Sequence, residues 1–145
     1  MKACIYGAGS LGTVLGAYIT KNGGEIDLIN RNKAHVEALN KNGAKIIGTV
    51  DVHNISYRNH SAELGYLLID GETGKGYISE ILPYIENTFF TAGVHRLVIE
   101  CETSNIASAS VAERNGYNLE GIAMGKVFGN GKYRDCKIYA KISTD

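Results

Sequence analysis

The stretch Glu72-Thr73-Gly74-Lys75-Gly76-Tyr77-Ile78 follows an apolar run typical of a strand and begins a segment with helical spacing. The glycines on either side of Lys75 allow the backbone to approach a ligand closely. The first N–H groups of a helix have no partner within the helix, and the helix dipole favours a negative charge beside them. The stretch therefore predicts a diphosphate site, and Lys75 would add a positive charge to it. The alternative is an ordinary connection between a strand and a helix that binds no ligand, since Gly-Lys-Gly turns are common in such connections.

The size and charge of the chain indicate one compact domain without a strong electrostatic field. Its 145 residues can bury a sizeable core. Lys plus Arg and Asp plus Glu number 15 each, so no net charge would attract nucleic acid or an anionic membrane. No apolar run approaches the roughly 20 residues that span a bilayer. We therefore expect a cytosolic protein with neither nucleic-acid nor membrane partners.

Cys4, Cys101 and Cys136 are far apart in the sequence, and each lies in a strand-like run. An odd number of isolated cysteines predicts buried reduced thiols rather than disulfides or metal ligands. The four histidines and the acidic residues show no spacing typical of metal ligands, so the sequence predicts no metal site.

The first residues contain a complete G-x-G-x-x-G pattern in the setting where it binds dinucleotides. A β-rich run over residues 2–6 ends in Gly7-Ala8-Gly9-Ser10-Leu11-Gly12, and helical spacing follows over residues 13–20. A second strand is predicted over residues 25–29, and Arg31 follows it where a 2′-phosphate would be bound. The pattern predicts NADP(H) binding by Gly7, Gly9, Gly12 and Arg31. A tight turn without a cofactor is the alternative.

Residues 1–43, including Gly16 and the pair Asn30-Arg31, resemble the beginning of the ketopantoate reductase family. The resemblance ends after a Rossmann-like βαβα segment, whose last helix is predicted over residues 33–41. The later strands of the reductases, their helical domain and their catalytic Lys and acid have no counterpart. The resemblance therefore implies, at most, NADP(H) binding without reduction.

The rest of the chain alternates between strand and helix patterns. Strands are predicted over residues 44–54, 62–69 and 96–101, and helices over about 75–91 and 105–115. A final hairpin is predicted over residues 117–128 and 133–142, because Asn130-Gly131 is a strong turn signal. The first helix has one apolar face, formed by Ile78, Ile81, Leu82, Ile85 and Phe89.

Four motifs lie around these elements in a specific order: residues 59–66, 95–100, 105–108 and 112–121. With them, the chain from about Lys45 to Ile142 resembles the ribosomal-protein and polyamine branch of the GNAT acetyltransferases. The resemblance implies transfer of an acetyl group from acetyl-CoA to an amine of a small molecule or a protein. Residues 44–145 would form the GNAT-like part of a single α/β domain. The expected sheet is mixed parallel and antiparallel, with helices on both faces.

The resemblance also implies where the acyl donor lies. The pantetheine arm would pair with residues 65–69, including Leu67 and Leu68, and Asn105 would bond to it. The diphosphate would lie at the turn formed by Thr73, Gly74, Lys75, Gly76, Tyr77 and Ile78. Thr73 replaces the usual Gln or Arg of the family motif and Ile78 replaces a small residue, so both changes weaken the expected affinity. Asn105 and its neighbours Thr103 and Ser104 could instead simply cap a helix.

The sequence offers more than one candidate for each catalytic group. Many relatives return a proton to the thiolate with a Tyr, but this chain has Ala112 at that position. The resemblance places Ser108 near the sulfur, so Ser108 or a water would donate the proton instead. Glu63 is the best candidate for the base, with His53 and His60 close in sequence. A solvated Glu63 is the alternative account, and further candidate bases are Glu100 and Glu102.

The acceptor side of the expected site differs from that of acetyltransferases, because residues 1–43 resemble another family. This combination predicts a chimera, natural or engineered, in which acetyl transfer is impaired or lost. The sequence does not predict an oligomeric state.

Overall fold

The computed structural model describes the backbone of residues 2–6, 25–29 and 48–144, and side chains over residues 48–144. The chain divides into two compact units. The first comprises Met1–Asp51 and Tyr66–Tyr77, and the second comprises Val52–Gly65 and Ile78–Asp145. The division passes through two strands, β3 (Gly48–Ser56) and β4 (Ser61–Leu68).

The first unit contains a two-stranded parallel sheet made of β1 (Lys2–Tyr6) and β2 (Glu25–Ile29). Both predicted strands are confirmed at these bounds. The predicted NADP(H) residues Gly7, Gly9, Gly12 and Arg31 lie outside the described residues, as do the helices predicted over residues 13–20 and 33–41. Farther along this unit, a Cβ at Gly48 would overlap the carbonyl oxygen of Leu67, so β3 and β4 approach each other there more closely than another residue would allow.

The strands from β3 onward form a five-stranded sheet in the order β3-β4-β5-β7-β6, with β5 (Arg96–Glu102), β6 (Asn118–Gly129) and β7 (Lys132–Ile142). Strands β4 and β5 are parallel, with Ser61 opposite Arg96 and Glu63 opposite Val98. Strand β7 is antiparallel to both β5 and β6. The predicted mixed sheet is therefore confirmed.

Helix α1 (Tyr77–Thr91) buries the apolar face that the sequence predicts. All five predicted residues are buried, and α1 begins two residues later than the expected start near Lys75. Burial of each large apolar side chain contributes about 1.5–3 kcal/mol. The same face also buries Glu86, which the pattern does not predict; its Oε2 lies 2.5 Å from Lys141 Nζ on β7.

Helix α2 (Ile106–Arg114) lies on the same face of the sheet as α1. On β7, Tyr139 donates a hydrogen bond to Glu113 of α2 at 2.8 Å, and Lys141 binds Glu86 of α1. Residues two apart in a strand point to one side, so both helices cover that side. Tyr139 is completely buried. Burial and the bond to Glu113 raise the pKa of Tyr139 to about 12.

The β6–β7 hairpin turns at Asn130 and Gly131, whose φ angles are 51° and 77°. Left-handed backbone at both residues matches the turn that the Asn-Gly pair predicts. Strand β6 is the last in the sheet order, and its pairing with β7 shifts register between Leu119 and Gly121 and between Ala123 and Val127. It exposes several large apolar side chains, namely Leu119, Ile122, Met124 and Phe128. None of the described helices combines the length and hydropathy that crossing a bilayer requires.

Candidate functional site

The turn before α1 has the backbone conformation that its glycines predict. Gly74 and Gly76 have φ angles of 76° and 84°, in the left-handed region that side chains other than glycine rarely adopt. A Cβ at either position would meet no atom within 4 Å, so conformation rather than crowding requires glycine. Thr73 and Lys75 are exposed in the turn, and Tyr77 is the first residue of α1.

Lys75 does not present an unbalanced positive charge, contrary to the expectation from sequence. Its Nζ lies 2.8 Å from Oε2 of Glu72, a buried residue three positions earlier. The hydrogen bond to Glu72 raises the pKa of Lys75. Glu72 is therefore part of the candidate diphosphate turn that sequence reasoning missed, although an acid three residues before a lysine is a recognisable signal.

The two changes from the family motif differ in their structural consequences. Ile78 is buried as part of the apolar face of α1, so its branched side chain packs in the core of the second unit. Thr73 is exposed and has a shorter side chain than the usual Gln or Arg. The weaker affinity expected from these two changes stays a prediction. On the predicted pantetheine strand, Leu67 is 71% exposed and Leu68 is half-buried.

Asn105 caps helix α2, as the alternative account of this residue predicts. Its Oδ1 accepts a hydrogen bond from the backbone N–H of Ser108 at 3.0 Å. This bond satisfies one of the N–H groups that a helix leaves without a partner at its beginning. A contact between Asn105 and pantetheine remains a prediction, since the cap uses Oδ1 and the amide also has an Nδ2 donor.

Ser108 contacts Cys101, a neighbour that the sequence did not indicate. The Ser108 side chain is hydrogen-bonded to the Cys101 thiol, which partly offsets the rise that burial causes in the pKa of Cys101. Burial raises the pKa of Cys136 as well. Cys101 and Cys136 are buried free thiols, as predicted; the side chain of Cys4 lies outside the described residues. The Ser108 hydroxyl is thus held next to a protonated thiol.

Glu63 is held by neighbouring side chains and is not a solvated edge residue. Its Oε2 accepts a hydrogen bond from Asn54 Nδ2 at 2.7 Å, and its Oε1 lies 3.2 Å from His53 Nε2. The side chain of Glu63 is 18% exposed and that of His53 is 42% exposed. His60 is exposed in the turn between β3 and β4. The structure therefore brings Glu63 and His53 together, and sequence reasoning missed Asn54.

The other two candidate bases each form an ion pair. Glu100 binds Lys126 Nζ at 2.5 Å, and Glu102 binds Arg134 Nη1 at 2.8 Å. The hydrogen bond to Glu100 raises the pKa of Lys126. Both carboxylates are thus engaged by a Lys or an Arg side chain. Glu63, whose described neighbours are the Asn54 amide and the His53 ring, is therefore the better candidate. Among the residues whose side chains are described, no group of three His, Cys, Asp or Glu could hold a metal ion.

Comparison with known proteins identifies the family. Residues 17–118 match the acetyltransferase (GNAT) domain family. The chain belongs to the GNAT acetyltransferases. The predicted resemblance to this family is confirmed. The match begins at residue 17, within the segment that resembles ketopantoate reductases. The comparisons give no support to the reductase resemblance, to NADP(H) binding or to a chimeric origin.

The GNAT relatives include enzymes that act on ribosomal proteins and on polyamines. The chain is 36% identical over 99 residues to the ribosomal-protein-serine acetyltransferase of Escherichia coli, covering 68% of this chain and 55% of that one. It is 27% identical over 103 residues to the spermidine N(1)-acetyltransferase of Vibrio cholerae, covering 70% and 58%.

Among solved structures, the microcin C7 self-immunity acetyltransferase MccE, in complex with acetyl-CoA and AMP, superposes with a TM-score of 0.66. The sequence identity is 33%, covering 69% of this chain and 56% of that one. The chain thus spans little more than half the length of the curated relatives that it matches.

Proposed function

We propose that this GNAT chain transfers the acetyl group of acetyl-CoA to a primary amine. The observation that carries the proposal is the family match over residues 17–118, which includes the turn with left-handed Gly74 and Gly76 at the beginning of α1. Relatives named for ribosomal proteins and for spermidine favour an amine of a protein terminus or of a polyamine as the acceptor.

In this proposal the turn at residues 73–78 binds the diphosphate of acetyl-CoA. The N–H groups at the start of α1 donate to phosphate oxygens, and the dipole of the helix favours their charge. Gly74 and Gly76 let the backbone adopt its conformation without strain. Leu67 and Leu68 belong to the strand that would pair with the pantetheine arm, and Asn105 would donate to the same arm.

Glu63 and Ser108 would supply the groups that move protons. Glu63 accepts a proton from the ammonium group, so that the neutral amine can attack the thioester carbonyl. The bond from carbon to sulfur breaks, and Ser108 donates its hydroxyl proton to the departing thiolate. The second proton that the nitrogen loses as the amide forms restores the Ser108 hydroxyl. The hydrogen bond between Ser108 and Cys101 would orient that hydroxyl. Each proton thereby has a named donor and acceptor.

Calorimetric titration of the purified chain with acetyl-CoA and with NADPH tests the donor half of the proposal. Acetyl-CoA is expected to bind, and to bind more tightly than NADPH. Free thiol release from acetyl-CoA then tests transfer, with a peptide bearing an N-terminal serine and with spermidine as acceptors. Binding of NADPH without binding of acetyl-CoA would refute the proposal, and so would the absence of turnover with both acceptors.

A further inference from the structure

His53 and Asn54 are consecutive residues of β3, yet both reach the same carboxylate. His53 Nε2 lies 3.2 Å from Oε1 of Glu63, and Asn54 Nδ2 donates to Oε2 at 2.7 Å. Successive side chains of a regular strand point to opposite faces of a sheet. Two neighbours can therefore hold one carboxylate only where the strand departs from regular geometry.

Asn54 provides that departure, because its φ angle is 49°. Among the described residues other than glycine, His60 and Asn130 also have positive φ angles, and both of these lie in turns. Asn54 is within β3. Asparagine adopts the left-handed conformation more readily than most residues, and the conformation turns its side chain to the side where Glu63 lies. Strand irregularities that redirect a side chain are common beside active sites.

The charges around Glu63 show what the Asn54 amide adds. His53 faces the carboxylate from β3, and Lys126 is close enough on β6 for Glu63 to raise its pKa. Lys126 is itself bound to Glu100 of β5. Asn54 thus gives Glu63 a neutral donor at short distance, which fixes the direction of the carboxylate.

We propose that Asn54 is a positioning residue, which holds the Glu63 carboxylate in the orientation that accepts the proton of the acceptor amine. The inference rests on the proposed acetyl transfer. It assigns to Asn54 a role in the proton-transfer step rather than in binding acetyl-CoA.

The variant Asn54→Gly tests this role, because glycine keeps the left-handed backbone and removes the side chain that carries the amide. Asn130→Gly is the matched control, since Asn130 has the same residue type and a φ angle of 51° in the β6–β7 turn. Both variants are assayed for thiol release from acetyl-CoA with the serine peptide and with spermidine between pH 5 and pH 9. Far-ultraviolet circular dichroism verifies that each is folded.

Asn54→Gly is expected to lower kcat/KM for the acceptor about tenfold or more at neutral pH, while the KM for acetyl-CoA stays unchanged. The loss should appear across the whole pH range, because the orientation of the carboxylate is lost. Asn54→Asp keeps the size and backbone preference of the residue but replaces the amide donor with a carboxylate, so it should lower kcat/KM for the acceptor at least as much.

A pH profile of Asn54→Gly that coincides with that of Asn130→Gly would overturn the inference and leave the proposed acetyl transfer intact. An Asn54→Asp profile that matches the wild type would do the same. If the wild-type chain transfers no acetyl group to either acceptor, the proposed function fails, and the role of Asn54 fails with it.

Discussion

Lys75 and Glu72 lie beside the candidate diphosphate turn with opposite charges, so their removal should have opposite effects. Lys75→Ala removes the positive charge beside the carboxylate of Glu72, whereas Glu72→Gln removes the negative charge beside Lys75. We expect Lys75→Ala to weaken acetyl-CoA binding, and Glu72→Gln to strengthen it, by about two- to fivefold in each case at low salt. Calorimetry at two ionic strengths measures both effects.

Acetyl-CoA affinity at higher salt is the control for the Lys75→Ala and Glu72→Gln variants. Both effects should shrink as salt is added, because the charge of Lys75 is exposed to solvent. Weaker binding by Glu72→Gln at every salt concentration would show that the buried Glu72 supports the turn rather than competing with the ligand.

Gly76 and Gly93 allow backbone strain to be separated from loss of a ligand contact. Their φ angles are 84° and 91°, and a Cβ at either would meet no atom within 4 Å. Valine at either position should therefore strain the backbone similarly. Gly76→Val is expected to lower acetyl-CoA affinity more than tenfold in calorimetry, while Gly93→Val, beyond the other end of α1, leaves it unchanged. Wild-type affinity in a folded Gly76→Val variant would show that the turn is only a connection.

At the scale of the element, the sequence predicted α1 well because one local pattern determines which face is buried. The spacing of Ile78, Ile81, Leu82, Ile85 and Phe89 matches the helical repeat, and all five are buried. Glu86 could not be predicted in the same way. Its partner Lys141 is 55 residues away along the chain, and nothing local indicates that the two will meet.

At the candidate site, too, the sequence predicted the features that depend on local signals and missed those that depend on strand pairing. The glycines of the turn are a local signal, and the structure confirms their left-handed conformation. The sequence placed His53 near Glu63 only through their proximity in the hairpin. It could not indicate Asn54, because a left-handed residue inside a strand depends on the pairing around it.

The buried ion pair of Glu86 and Lys141 is expected to stabilise the packing of α1 on the sheet. Glu86 is 4% exposed, and its Oε1 has no hydrogen-bond partner within the part of the chain that the structure describes. Lys141→Met would leave the carboxylate buried without its counter-ion, at a cost of about 3 kcal/mol. Urea unfolding at pH 7 measures the loss.

The double variant Glu86→Leu with Lys141→Met is the control for this pair. Removing both charges should restore most of the free energy of unfolding, since no charge then remains buried. A double variant as unstable as Lys141→Met would show that packing, rather than the charge of Glu86, causes the loss.

At the scale of the whole molecule, the completely buried Tyr139 should make stability fall at high pH. Its pKa of about 12 in the folded chain lies above the ordinary value of 10, so the neutral phenol is favoured by folding. The stability that results is fully present below pH 10 and is lost as the pH rises toward 12. The urea midpoint should therefore fall between pH 10 and pH 11.5.

Tyr139→Phe should reduce the fall of the urea midpoint at high pH, since phenylalanine has no group to ionise. At pH 7 it should cost about 0.5–1.5 kcal/mol, through the lost hydrogen bond to Glu113. Tyr133→Phe, at an exposed position, is the control and should retain the wild-type slope. Equal slopes in all three proteins would refute the assignment to Tyr139.

The dinucleotide pattern and the family match lie on different residues. Gly7 to Gly12 form a complete dinucleotide pattern, and the acetyltransferase match begins after it, at residue 17. The pattern needs only three glycines at fixed spacing, which a tight turn in another fold can also satisfy. The GNAT motifs are spread over several elements, so their joint occurrence is more specific.

The exposed apolar side chains of β6 affect how the protein must be handled. Within residues 48–144, β6 is the last strand of its sheet, and no described strand pairs with its outer edge beside Leu119, Ile122 and Met124. Such an edge attracts other strands, although its irregular pairing with β7 makes a long match harder. With a pI near 6.9, the molecules lack the mutual repulsion that would keep these edges apart at neutral pH. Solubility should therefore be lowest near pH 7, and concentrated stocks should stay clear longer at pH 8.5.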